Sequence, residues 1–312
     1  MISSIFGKTK PINFIILMGF LFVFYWTVQI SLFKIELDTE SVILKSLVLS
    51  VLLFSVFVVD FIIKRNKITS PNSYGILYFT LLILVFPETL NDNNAIVCSF
   101  FLLLAIRRLL SIKSLKNIKV KIFDASLWIL MSSIFYNWAI LFLILVFVSI
   151  YIYDPKNIRN WLVVIAATFC YFVLLYAVLT LINLTNYLET HYNYTFNNNV
   201  LTASYWTSSV KMLLYTIINI FLGSIGFLRL GKSGVGKITT LRLVSLSFVL
   251  GLLANLLLLR ESNSAILITF FPAVIFITNY LESLKRKNVL EVILMLSVFV
   301  PLIVFISKLL IS

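Results

Sequence analysis

Residues 12–32 read INFIILMGFLFVFYWTVQISL, a run without a single charge. About 20 apolar residues in an α-helix cross the roughly 30 Å hydrocarbon core of a bilayer. The run is too long for the apolar segment of a signal peptide. It also leads into Lys34-Ile35-Glu36, where a cleavable signal would place small residues. We read it as an uncleaved first membrane span, with Lys8 and Lys10 on the cytoplasmic side of it.

The remainder of the chain repeats this pattern. Of 312 residues, 61% are hydrophobic and 12% charged, whereas a soluble domain runs near 45–50% apolar and about 25% charged. A water-soluble fold is therefore excluded. Ten more apolar runs, bounded by polar clusters, lie at 42–63, 73–87, 95–110, 122–135, 138–153, 160–183, 209–228, 241–259, 264–281 and 289–311. The expected fold class is all-α: a polytopic membrane helix bundle with about 11 transmembrane helices, forming a single integral membrane domain over 1–312. The runs at 73–87, 95–110 and 122–135 are short, and only Tyr136-Asn137-Trp138 separates the fifth from the sixth. A tilted, interfacial or re-entrant pair remains open there.

Charge tests the topology independently. With the N-terminus cytoplasmic, 20 of the 25 basic residues fall in cytoplasmic segments, among them Lys64, Arg65, Arg107, Arg108, Lys113 and Lys121. Only Lys34, Lys45, Lys211, Arg260 and Lys308 fall on the other side. This is the positive-inside bias, and it accounts for the net charge of +13 without a nucleic-acid partner. The expected location is a bacterial inner (cytoplasmic) membrane, with the lipid bilayer as the first partner.

Several chemistries drop out on residue counts. Cys98 and Cys170 are the only cysteines and His191 the only histidine, which excludes a disulfide framework and a thiolate metal site. Gly231 to Lys237 matches the first seven positions of a phosphate-binding GxxxxGK loop, but Ile238 stands where a hydroxyl should meet magnesium. We read that stretch as a basic turn between spans. Asp60 and Asp124 sit near span ends, and local pairing with Lys64 and Lys121 is expected. Gly223, Ser224, Gly226, Gly251 and Ala254 are expected to serve close helix packing.

The candidate chemistry lies in the outer loops. Glu36, Asp38 and Glu40 follow the first span, Glu88 and Asp92 follow the third, and the loop near 184–208 carries His191, Tyr192 and Trp206. Arg260 lies between the ninth and tenth spans. Carboxylates beside one Arg, one His and aromatic rings suit a metal ion, a phosphate and a sugar face; polar loops with interfacial aromatics at a headgroup surface are the plainer account.

Two resemblances follow from these residues. The opening Met1-Ile2-Ser3-Ser4-Ile5-Phe6, Phe123-Asp124-Ala125 and Arg159-Asn160-Trp161-Leu162 together resemble an uncharacterised Bacteroidota-type family of polytopic inner-membrane proteins. The acids after the first and third spans resemble, more weakly, those of the GT-C class of membrane glycosyltransferases. The first outer loop, about nine residues, is shorter than the interfacial helices of that class, and its outer C-terminal domain is not expected here. The GT-C resemblance implies sugar transfer from a polyprenyl-phosphate lipid on the extracytoplasmic face. Asp38, with Glu36 and Glu40, would be catalytic, Asp38 as general base. Glu88 and Asp92 would hold a divalent cation such as Mg or Mn. Arg260 would clamp the anion, with His191, Tyr192 and Trp206 binding substrate. The alternative is a non-catalytic lipid or small-molecule transporter, or a subunit of a cell-envelope complex.

Overall fold

Each of the eleven apolar runs folds as helix, and the polar clusters between them set where the helices stop. The computed structural model describes residues 2–36, 38–184, 186–193, 206–229, 235–258 and 265–311. Among the described residues there are thirteen α-helices and no strand. These are α1 (Ile2–Phe6), α2 (Pro11–Thr27), α3 (Thr39–Asn66), α4 (Tyr74–Val85), α5 (Asn93–Ser111), α6 (Ile118–Ser132) and α7 (Leu143–Tyr153). They continue as α8 (Ile158–Leu181), α9 (Tyr187–His191), α10 (Trp206–Arg229), α11 (Val235–Leu258), α12 (Phe270–Glu282) and α13 (Lys287–Ile311). A π-helical turn, Val28–Leu32, prolongs α2, and 3-10 turns at Asn137–Phe142 and Ile266–Thr269 lead into α7 and α12.

Among the described residues seven helices are long and apolar enough to cross a membrane, which is compatible with an integral, multi-pass membrane protein. They lie at 11–32, 39–66, 93–114, 158–181, 210–228, 236–258 and 287–307. Shorter apolar helices fill 74–85, 137–153 and 266–282. At about 1.5 Å per residue, the 12 residues of α4 span well under the hydrocarbon thickness. Pro87 follows one residue later, after the C-cap Phe86, and, lacking an amide hydrogen, prevents the helix from continuing.

The short helices form the centre. Tyr74 to Leu84 of α4 are all buried, as is α12 from Phe270 to Phe276. Around them pack α2, α3 and α13 against α4, and α10 and α11 against α12. Gly75 permits the α3–α4 approach, because a Cβ there would stand 2.5 Å from Ile63 Cδ1. Two of the expected small-residue contacts are present: Gly251 lies against Thr269 and Ile268, and Gly223 against the Phe276 ring. Gly226 meets nothing within 4 Å, and Ser224 is exposed and bonds its own helix at Phe221 O. The outer helices turn apolar side chains outward, including Phe169 on α8, Phe221 on α10 and Ile303 on α13. A bilayer accommodates such a surface and water does not.

Polar contacts far apart in sequence collect at two ends of the bundle. At the end rich in Lys and Arg, buried Asn13 donates to Ile5 O, Lys8 O and Ser73 Oγ. Glu282 there accepts from the Ser70 amide and from Asn72 Nδ2, and Ser3 Oγ donates to Glu291. Lys64 pairs with Asp60 at 2.6 Å, as its i,i+4 spacing predicts. Asp124 does not take Lys121 as expected. It pairs with Arg108 at 2.9 Å, while Lys121 donates to Ser111 O and Ser114 Oγ. The tight α5–α6 turn, with Leu115 and Asn117 in the left-handed region, brings these groups together.

Candidate functional site

The opposite end of the bundle carries a continuous polar layer, built from the loop that joins α4 to α5. Asp92 caps α5, its Oδ1 accepting the Ala95 amide at 3.1 Å. This satisfies one of the amides that a helix start leaves open. Its Oδ2 accepts the hydroxyl of Tyr136, a residue buried just beyond α6. Buried Gln29, in the π-helical turn after α2, donates to Leu90 O at 2.6 Å. Lys45 of α3, only 9% exposed, donates to Asn93 Oδ1 at 3.0 Å and to Asn91 O at 3.5 Å. The helical segments on either side of the α2–α3 loop are thereby tied to the α4–α5 loop.

The layer continues through the turn after α6. Tyr192 shares hydrogen bonds with Ser133 Oγ (2.8 Å) and with Tyr171 (3.1 Å). His191 Nε2 lies 2.7 Å from the Ser133 carbonyl oxygen. A carbonyl only accepts, so Nε2 carries the proton. Asn137 Nδ2 donates to His191 O, and Tyr187 donates to Ile134 O at 2.7 Å. Burial, and secondarily Tyr192, hold the Tyr187 phenol above its ordinary pKa. On the other flank Lys211 of α10 pairs with Glu88 at 3.2 Å and sits 4.5 Å from the Phe86 ring centroid.

Of the residues singled out in the sequence, the turn at 132–137 brings together Asp92, His191 and Tyr192. Glu88 lies in the same loop as Asp92. The first-loop acids are exposed, and no hydrogen bond or ion pair among the described residues engages their carboxylates. They do not share one extended face. Asp38 is extended at the N-cap of α3 (φ −78°, ψ 152°), whereas Glu40 already lies in the first helical turn, where the helix dipole favours a negative charge. Trp206 opens α10, but its side chain, like the whole of Arg260, lies outside the described residues. The GxxxxGK stretch is also mostly outside them; α11 begins at Val235 with Gly236 against Lys113, and helix α10 precedes it where a phosphate loop needs a strand.

The divalent cation expected at Glu88 and Asp92 does not suit this arrangement. Glu88 pairs with an ammonium, and both Asp92 oxygens already accept hydrogen bonds. Among the described residues no group of three or more His, Cys, Asp or Glu could hold a metal ion. The residues that sequence reasoning passed over are Gln29, Lys45, Tyr136, Asn137 and Lys211. The one local signal was the polar break at Tyr136-Asn137 between two apolar runs.

Comparison with protein-family models, with curated proteins and with solved structures finds no match for this chain.

Proposed function

We propose that this is a multi-pass protein of a bacterial inner membrane, N-terminus in the cytoplasm, that transfers a sugar from a polyprenyl-phosphate lipid at its extracytoplasmic end. One observation carries the reading. The segments that flank the first loop and its exposed carboxylates, the turn after α2 and the start of α3, are both bound to the loop after α4 through Gln29 and Lys45, and Lys211 pairs with Glu88 of that same loop. In this reading Asp38 takes the proton of the acceptor hydroxyl. The acceptor oxygen then bonds to the sugar's anomeric carbon, and the bond to phosphate oxygen breaks. The charge left on the lipid phosphate would be met by the ammonium of Lys211; Arg260, given the anion-clamp role in the sequence reading, lies outside the described residues. No step is assigned to a metal ion.

The second reading, a non-catalytic transporter or envelope-complex subunit, rests on a different observation. Asp92 and Glu88 are both engaged in contacts that join helices, which is a structural use. The cavity between α4, α5 and α12, beside Phe79, Ser99 and Phe271, measures only about 10 Å³, room for about one water, which favours the subunit over the transporter within this second reading.

The test is sugar transfer by the purified chain in lipid vesicles containing a radiolabelled polyprenyl-phosphate hexose. Transfer that is lost in Asp38→Asn, with unchanged membrane abundance, supports the enzyme. Absence of transfer by the unmodified protein, or full activity of Asp38→Asn, favours the subunit reading.

A further inference from the structure

A groove of about 640 Å³ opens on the outside of the bundle between α3 and α5, at the end rich in Lys and Arg. Its floor is a stripe on one face of α3: Phe54, Phe57 and Phe61, each about half exposed. Spacings of three and four residues place them in line along the helix, and Arg65 continues the same line toward the helix end. Arg107 of α5 closes the other side, its guanidinium carbon 4.7 Å from the Phe61 ring centroid.

The charges in the groove do not cancel. Asp60 is paired with Lys64 at 2.6 Å, and the neighbouring Arg108 is paired with Asp124. Arg65 and Arg107 have no carboxylate partner among the described residues. Two uncompensated guanidiniums therefore stand at the rim of an apolar trough in the outward, lipid-facing surface. A free inorganic anion has no use for three half-exposed phenyl rings, and a zwitterionic lipid brings its own ammonium against the two arginines. A lipid whose headgroup is a bare phosphodiester matches both halves. The guanidinium fork suits phosphate oxygens, and the volume lies within the range of about 300–1,000 Å³ usual for ligand sites.

We propose that this groove binds one anionic glycerophospholipid of the leaflet at the basic end, its phosphate on Arg65 and Arg107 and an acyl chain along Phe54, Phe57 and Phe61. The site rests on the multi-pass membrane reading alone and stands or falls separately from glycosyl transfer at the other end.

Native mass spectrometry of the full chain in mild detergent tests it, with phosphatidylglycerol, phosphatidylcholine of the same acyl chains, and undecaprenyl phosphate as probes. Phosphatidylglycerol is expected to be retained best, by roughly fivefold per arginine. R65Q/R107Q should bring it down to the phosphatidylcholine level, and K156Q/R159Q, at the same end but off the groove, should not. Equal retention of the two phospholipids, unchanged retention in R65Q/R107Q, or preference for undecaprenyl phosphate overturns the proposal. Should the double variant fail to fold, R107K carries the test, because it keeps the charge and loses the fork. Intermediate retention is then expected, and retention equal to the unmodified chain contradicts the site.

Discussion

Asp92 and Tyr136 are hydrogen-bonded between the start of α5 and the turn that ends α6, and the same carboxylate caps α5 through the Ala95 amide. One side chain therefore both starts a helix and fastens it to its neighbour. The bond also links the α4–α5 loop to the turn whose Ser133 holds His191 and Tyr192.

Removing that carboxylate should be costly for its position. Asp92→Ala loses a cap worth about 1 kcal/mol and a charge-assisted bond worth about 1.5–3 kcal/mol, whereas Tyr136→Phe loses only the latter. Unfolding of the detergent-solubilised protein should show Asp92→Ala as the less stable of the two. Equal and small losses would mean that the outer layer is not a structural unit.

Gly75 and Gly19 give a matched pair. A methyl at Gly75 meets Ile63 in the α3–α4 contact, whereas one at Gly19 meets nothing within 4 Å. Gly75→Ala should lower stability by no more than about 1 kcal/mol, because only the terminal methyl of Ile63 has to move, and Gly19→Ala should be neutral or raise it by up to about 1 kcal/mol. Melting temperatures in one detergent check the order, and a reversed order would contradict the central position of α4.

The Glu88–Lys211 pair is half exposed, so it should contribute no more than about 1 kcal/mol. Lys211→Met is expected to fold normally. If glycosyl transfer is the activity, transfer by this variant falls while abundance holds. A large loss of stability instead would show that the pair mainly locks α10 in place.

Replacing Gly236 and Lys237 together by alanine should leave abundance and activity intact, because the hydroxyl and the strand of a phosphate loop are both missing. Nucleotide-dependent stabilisation of the unmodified chain, lost in this variant, would reverse that conclusion.

Much of the architecture was legible because the apolar runs are long and uninterrupted. Residues 12–32, 42–63 and 160–183 could be little else, and the helices that cover them end within a few residues of the polar clusters. The short central helices were harder. Residues 74–85 are apolar on every side, so neither a period nor an amphipathic face tells a buried half-length helix from a full span. The site was least legible. Lys45 looks like one basic residue near a span end, and only the fold, by bringing Asn91 and Asn93 to it, makes it part of a buried layer. Asp124 likewise chose Arg108 over the nearer Lys121, because the tight turn between α5 and α6 decides which cation reaches it. Local spacing does not encode partners 46 or 48 positions apart, as at Lys45.

An extracytoplasmic site requires the end of the bundle that carries Asp92 and Tyr136 to face outward, and cysteine accessibility measures that directly. With Cys98 and Cys170 replaced by serine, single cysteines at Asp38, Glu189, Lys116 and Lys285 are treated in intact cells with a membrane-impermeant maleimide. Labelling is expected at Asp38→Cys and Glu189→Cys in intact cells, and at Lys116→Cys and Lys285→Cys only after permeabilisation. Labelling of Lys116→Cys and Lys285→Cys in intact cells, with the other two protected, would invert the bundle and contradict an extracytoplasmic site.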